Sequence, residues 1–189
     1  MARNSAYPQL LEAVIRLAHE RETATITVTD IVREAGVTRP TFYAAFTDPA
    51  NAFTHAAAEE ITRAFASSPK PQATRQFTED ELAAFFAEVL AYVDGHRSFF
   101  QHVSQGPGAH DILKHLIAAL SGRIADYSPA GLTLQSGPLP AEITTEAIAA
   151  AVAWTTLSWV NESSPRRVQE MADILAGLVL RFSAPGGKE

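Results

Sequence analysis

The sequence predicts an all-α protein in two parts, and three observations carry that expectation. Apolar residues recur at helical spacing through most of the chain. Capping residues, glycines and prolines interrupt them at intervals of one helix length. No segment shows the alternation of a strand.

The clearest elements lie between Thr27 and Phe53. Thr27 with Asp30 three residues on resembles a capping box, an aspartate standing where Glu or Gln is usual. Val28, Ile31, Val32 and Ala35 give the helix that follows one apolar face. Gly36 stands where the chain needs a left-handed residue to leave that helix. Thr38 reads as the next N-cap, and Pro40 falls in the first turn, where its missing N–H costs little. Because Pro40 disfavours the helical region for Arg39, the start falls at Thr38 or at Arg39. Phe42 and Phe46, one turn apart, pin this helix to a core and leave Thr38, Arg39, Thr41, Tyr43 and Ala44 facing outward. Two short helices joined by a glycine, with polar and aromatic side chains on the second, match a helix-turn-helix that lays its second helix in the DNA major groove. The spacing alone equally fits a packing unit with no nucleic-acid role.

Asp48 and Pro49 open a helix running to Ser67, with Ile61 and Phe65 a turn apart, and Ser68–Gln72 reads as a linker. Thr78 to Glu81 form a capping box for a helix ending near Asp94-Gly95. A shorter helix from Arg97 to Ser104 is stopped by Gly106-Pro107-Gly108, and Ile112, Leu113, Leu116, Ile117, Leu120 and Ile124 mark the next. Ser128 to Pro140, with three prolines and two glycines, reads as a long loop. Thr144 to Asn161 is apolar nearly all round, so it must be covered on more than one side. Ser164-Pro165 reads as the cap of a final helix striped by Val168, Met171, Ile174, Leu175, Leu178, Val179 and Phe182. Two such helices at a C-terminus suggest a subunit interface.

Composition narrows the function. At 189 residues the chain can bury one good core and a small satellite domain. With no cysteine it has neither a disulfide framework nor a Cys-based metal site. The N-terminus lacks a signal-peptide core, and the run from Ala147 to Val160 is too short to span a membrane, so a cytoplasmic protein is expected. A net charge of −6 gives no reason to expect membrane binding and disfavours indiscriminate nucleic-acid binding. His96, His102, His110 and His115, with Asp111, fall in one region but lack the spacing of a helical zinc site. Neither a nucleophile elbow nor a glycine-rich phosphate loop is present, so an enzyme, a metal and a cofactor are not expected.

Leu10-Leu11-Glu12-Ala13-Val14, Thr27-Val28-Thr29-Asp30-Ile31, Ala35 to Tyr43 and Phe46 together resemble the DNA-binding domain of the TetR family of bacterial transcriptional regulators. The resemblance implies a three-helix helix-turn-helix DNA-binding domain over residues 1–48 and a helical effector-binding and dimerisation domain over 49–189. It implies a repressor that binds a palindromic double-stranded DNA operator as a homodimer, through its last two helices, and is released by a small hydrophobic effector. By position, Thr38, Thr41 and Tyr43 correspond to phosphate contacts, Arg39 and Pro40 to residues facing base edges, and Thr29 to a further contact. The chemistry agrees, since hydroxyls and helix N-termini anchor phosphates and an Arg fork reads guanine.

The chain departs from the family pattern at Ala45, where histidine is usual, at Pro49, where a basic residue is frequent, and at Glu22, where glycine is common. Its first fifty residues hold five arginines, no lysine and six acids, a net of −1, so the basic footprint of a nucleic-acid binder is missing. A helical ligand-binding or protein-interaction module with weak or lost DNA affinity is therefore the alternative. For the effector pocket, Phe86, Phe99, Phe100 and Trp154 are the candidate apolar lining, and His102, His115, Thr155 and Ser158 the candidate polar groups. Any one of these rings serves equally well as plain core.

Overall fold

The structure, a computed structural model, describes residues 6–66, 78–127 and 140–183. Among them are nine α-helices and no strand: α1 (Ala6–Glu20), α2 (Val28–Ala35), α3 (Arg39–Ala45), α4 (Pro49–Ala66), α5 (Glu79–Gly95), α6 (Arg97–Gln105), α7 (Ala109–Tyr127), α8 (Ala141–Val160) and α9 (Val168–Ser183), with a short 3₁₀ turn at Thr23–Thr25. The linker expected at Ser68–Gln72 and the loop expected from Ser128, except for Pro140, lie outside the described residues. The chain divides into two compact units: Met1–Arg63 with His96–Leu113, and Ala64–Gly95 with Lys114–Glu189.

In the first unit α1 is the central element. Leu10, Leu11, Ala13, Val14, Ile15, Leu17 and Ala18 are all buried, a face wide enough to meet α2, α3 and α6. Ile31 from α2, Phe42 and Phe46 from α3 and its end, Phe53 from α4, and Phe99 and Val103 from α6 complete the core. Thr23, buried before α2, donates its hydroxyl to the His102 carbonyl at 2.9 Å. The first unit thus takes in most of α4, all of α6 and the start of α7 besides residues 1–48.

In the second unit α5 packs along α9, and α9 also meets α8. Phe86, Val89, Leu90 and Val93 of α5 are buried, as are Ile148, Val152 and Trp159 of α8 and Met171, Leu175 and Val179 of α9. The expected box at Thr78 and Glu81 is present: Glu81 N donates to Thr78 Oγ1 at 3.3 Å, and Thr78 N donates to Glu81 Oε2 at 3.0 Å. Helix α8 begins at Ala141, ahead of the expected Thr144, with Pro140 as its N-cap. Helix α9 begins later than Ser164-Pro165 suggested. The Trp159 indole donates to the Arg166 carbonyl at 2.8 Å and holds the connection outside the helix. Its first helical hydrogen bond runs from Met171 N to Arg167 O. No helix among the described residues is long and apolar enough to cross a membrane.

Candidate nucleic-acid interface and effector cavity

Local chemistry builds the α2–α3 pair as its residues suggest. Thr27 and Asp30 form a reciprocal capping box, Asp30 N donating to Thr27 Oγ1 at 3.3 Å and Thr27 N donating to Asp30 Oδ2 at 3.0 Å. Gly36 adopts φ 66° and ψ 30°, the left-handed conformation that lets the chain turn without a Cβ clash. Thr38 caps α3, which begins at Arg39 with Pro40 in its first turn. The Thr38 and Thr41 hydroxyls lie 2.9 Å apart at that N-terminus, where backbone N–H groups are available to an anion. Asp48 Oδ1 accepts from Asn51 N at 2.8 Å and fixes the start of α4.

Of the six expected contact residues, Thr29, Thr38, Arg39, Pro40 and Tyr43 are exposed and Thr41 is half-buried. Tyr43 is 57% exposed although its ring meets that of buried Phe42 edge-on at 5.3 Å. Arg39 Nη2 donates to Thr29 Oγ1 at 2.6 Å, so two of the six are joined across the turn.

The charges around them are mostly spent locally. Arg16 pairs with Glu34 at 2.8 Å, Arg33 with Asp30 at 2.8 Å and Arg21 with Asp30 at 3.4 Å. The Thr27 hydroxyl and N–H, helped by Arg21, hold the Asp30 carboxyl down to about 2. Among the described arginines of residues 1–48, Arg39 is held by a hydroxyl and not by a carboxylate. Arg3 lies outside the described residues.

The effector residues expected from sequence do not gather. Phe99 and Phe100 are buried in the core of the first unit, edge to face at 5.3 Å, and His102 Nδ1 there donates to the Ala18 carbonyl at 2.7 Å. Phe86 fills the core of the second unit. Trp154 and Ser158 are exposed on α8 and Thr155 is half-buried. A cavity of about 810 Å³ lies in the second unit between α7 and α8, and of the eight only His115 lines it. Ile117, Ala118 and Ala141 give this cavity apolar walls, with Lys114, Glu142 and Glu146 as charged neighbours. Ser121 Oγ is buried in its wall and finds no hydrogen-bond partner among the described residues. The rings moved elsewhere because helical spacing shows which face is apolar without showing what covers it.

The expected histidine region also separates. His110 is exposed, His115 borders the cavity, and His96 precedes α6. His96 instead meets His19 and Glu60, a grouping that left no trace in sequence because whole helices separate its members.

The family model described as "Bacterial regulatory proteins, tetR family" matches residues 10–48. No curated protein matches the sequence. Solved structures share the fold over nearly the whole chain. The fatty acid degradation regulator FadR from Bacillus halodurans is 16% identical with a TM-score of 0.64, covering 94% of this chain and 95% of that one. The TetR family repressor AlkX from Dietzia sp. strain DQ12-45-1b, implicated in biodegradation of n-alkanes, is 14% identical with a TM-score of 0.63, covering 97% of each. FadR from Bacillus subtilis, in complex with stearoyl-CoA, is 17% identical with a TM-score of 0.58, covering 92% and 97%. Residues 10–48 thus match the TetR family model, and the all-helical chain shares the fold of solved TetR-family structures.

Proposed function

We propose that the protein is a repressor and not an enzyme, that it binds a palindromic operator as a homodimer, and that a small hydrophobic effector releases it. In this reading residues 1–48 are the DNA-binding head and residues 49–189 the effector and dimerisation part. The observation that carries the reading is the row at the start of α3, exposed except for half-buried Thr41. Thr38 and Thr41 at the helix start serve phosphates, Tyr43 a further phosphate, and Arg39 and Pro40 the base edges, with Thr29 steadying the Arg39 fork.

Support for a dimer comes from apolar side chains left uncovered on the last two helices. On α8 Ile143 and Trp154 are 61% and 66% exposed and stand on one face by their spacing, and on α9 Ile174 is 45% exposed. A two-fold dimer matches a palindrome. For the effector, the cavity between α7 and α8 supplies apolar walls and the Ser121 hydroxyl as a polar anchor. The long-chain acyl ligand of the Bacillus subtilis neighbour agrees with an apolar effector class.

A gel shift against DNA flanking the protein's own gene tests the reading. A retarded band at micromolar protein and low salt, weakened by Arg39→Ala, is expected. A dimer that gives no shift under those conditions overturns it in favour of a helical binding module without DNA affinity, the reading favoured by the locally paired arginines of the head.

A further inference from the structure

Three side chains distant in sequence converge within the first unit. His19 lies in the last turn of α1, Glu60 in α4, and His96 just before α6. One ligand-type atom from each lies within 4.8 Å of the other two. We propose that His19, Glu60 and His96 form a site for a divalent transition metal of the Zn²⁺ class.

Two imidazole nitrogens and a carboxylate oxygen are the donor set of a three-ligand zinc centre that keeps a fourth position for water. Some point lies within about 2.8 Å of all three atoms so spaced, and shifts of under ~1 Å bring them to the ~2.0–2.2 Å of Zn–N and Zn–O bonds. The His19 and His96 rings stand 5.4 Å apart between centroids, close enough to face a common ion.

The electrostatics favour a dication. Glu60 is 1% exposed, and a carboxylate so far from water needs positive charge nearby. Arg63 supplies part of it, its Nη1 lying 2.9 Å from Glu60 Oε1, but the same guanidinium also binds Glu12 and Glu59. Ser98 Oγ, 3.4 Å from His19 Nδ1, and the Phe99 ring at 5.4 Å flank the His19 ring. His102 is not among the three grouped side chains, and its Nδ1 donates to the Ala18 carbonyl. An ion here would tie α1, α4 and the start of α6 together.

The test uses the untagged full chain stripped with a chelator. Calorimetric titration with Zn²⁺ is expected to give about one ion per chain and a raised melting temperature, and Co²⁺ the visible absorption of a low-coordinate N/O site. His96→Ala should weaken Zn²⁺ binding at least tenfold while His110→Ala, on an exposed residue of α7, should not. His19→Gln gives the same readout if His96→Ala folds poorly. No saturable Zn²⁺ binding in the micromolar range, or binding undiminished in both His96→Ala and His19→Gln, overturns the site. Neither outcome depends on whether the protein binds DNA.

Discussion

The Arg39 guanidinium reaches back across the Gly36 turn and donates to the Thr29 hydroxyl at 2.6 Å. A planar fork held at one end is oriented before it meets a base, which reduces the rotamer entropy lost on binding. Arg39→Ala is therefore expected to cost about 1–3 kcal/mol of specific operator binding, and Arg39→Lys part of the same because an ammonium reaches O6 and N7 without the planar fork that Thr29 orients. Thr29→Val should lower affinity less and leave the preferred sequence unchanged. Quantitative gel shifts on the operator and on single-base variants measure all three. An Arg39→Ala protein with wild-type sequence preference would mean that α3 is not the reader.

Salt dependence gives a second measurement. With Arg16, Arg21 and Arg33 paired to acids of the same head, few phosphates are neutralised by cationic side chains. A dimer neutralising about four phosphates gives a log–log slope of roughly −4, at ~0.9 per phosphate. Tyr43→Phe should weaken binding with little change of slope, since it removes a hydroxyl and no charge. Fluorescence anisotropy between low and physiological salt reads both, and a slope near that of a lysine-rich binder contradicts the count.

Asp30 predicts how the head responds to acid. Its folded-state carboxyl is held at about 2, below the ~3.9 of an unfolded chain. The stability this contributes is present above the unfolded value and is lost as pH falls through the folded one. Asp30→Asn should thus be less stable than wild type at pH 6, and the gap should close between pH 4 and pH 2. Denaturant melts across that range check it, and a gap that widened with acid would reverse the sign.

Gly106 is held by sterics, not by its backbone angle. A Cβ there would overlap Thr23 Oγ1 and come within 2.9 Å of the His102 carbonyl, the two atoms already joined by a hydrogen bond. Gly106→Ala should cost about 1–3 kcal/mol through overpacking of a buried polar contact. Thr23→Ala in the same chain should recover part of it, and a double-mutant cycle by thermal melting reads the coupling. Additive losses would place the strain elsewhere.

Trp154 tests the subunit interface. With 66% of its surface exposed in the single chain, Trp154→Glu should leave folding intact and turn a dimer into a monomer in sedimentation velocity. The same substitution should weaken operator binding, because half a palindrome is then read at a time. A dimer that persists unchanged locates the interface away from this face of α8.

The elements readable in sequence were those specified locally. Thr27 with Asp30, Gly36, Thr38 and the box at Thr78 and Glu81 act over three or four residues, and each stands where its pattern placed it. The start of α9 was misread because a distant group decides it: the Trp159 indole claims the Arg166 carbonyl. The cavity lining was unreadable for a related reason. Phe99, Phe100 and Phe86 are apolar in the same way whether they border a ligand or one another. The meeting of His19, Glu60 and His96 depends on how α1, α4 and α6 pack, which no local spacing encodes.

The capping box has a consequence for which acids of the head can be replaced. The Asp30 charge is committed to holding α2, with Thr27, Arg33 and Arg21 around it, and replacing it disturbs the scaffold. Glu22 is exposed and serves the fold through its carbonyl, which receives the Thr25 N–H and hydroxyl. The Glu22 side-chain charge can therefore be changed without disturbing the capping box that holds α2, whereas the Asp30 charge cannot.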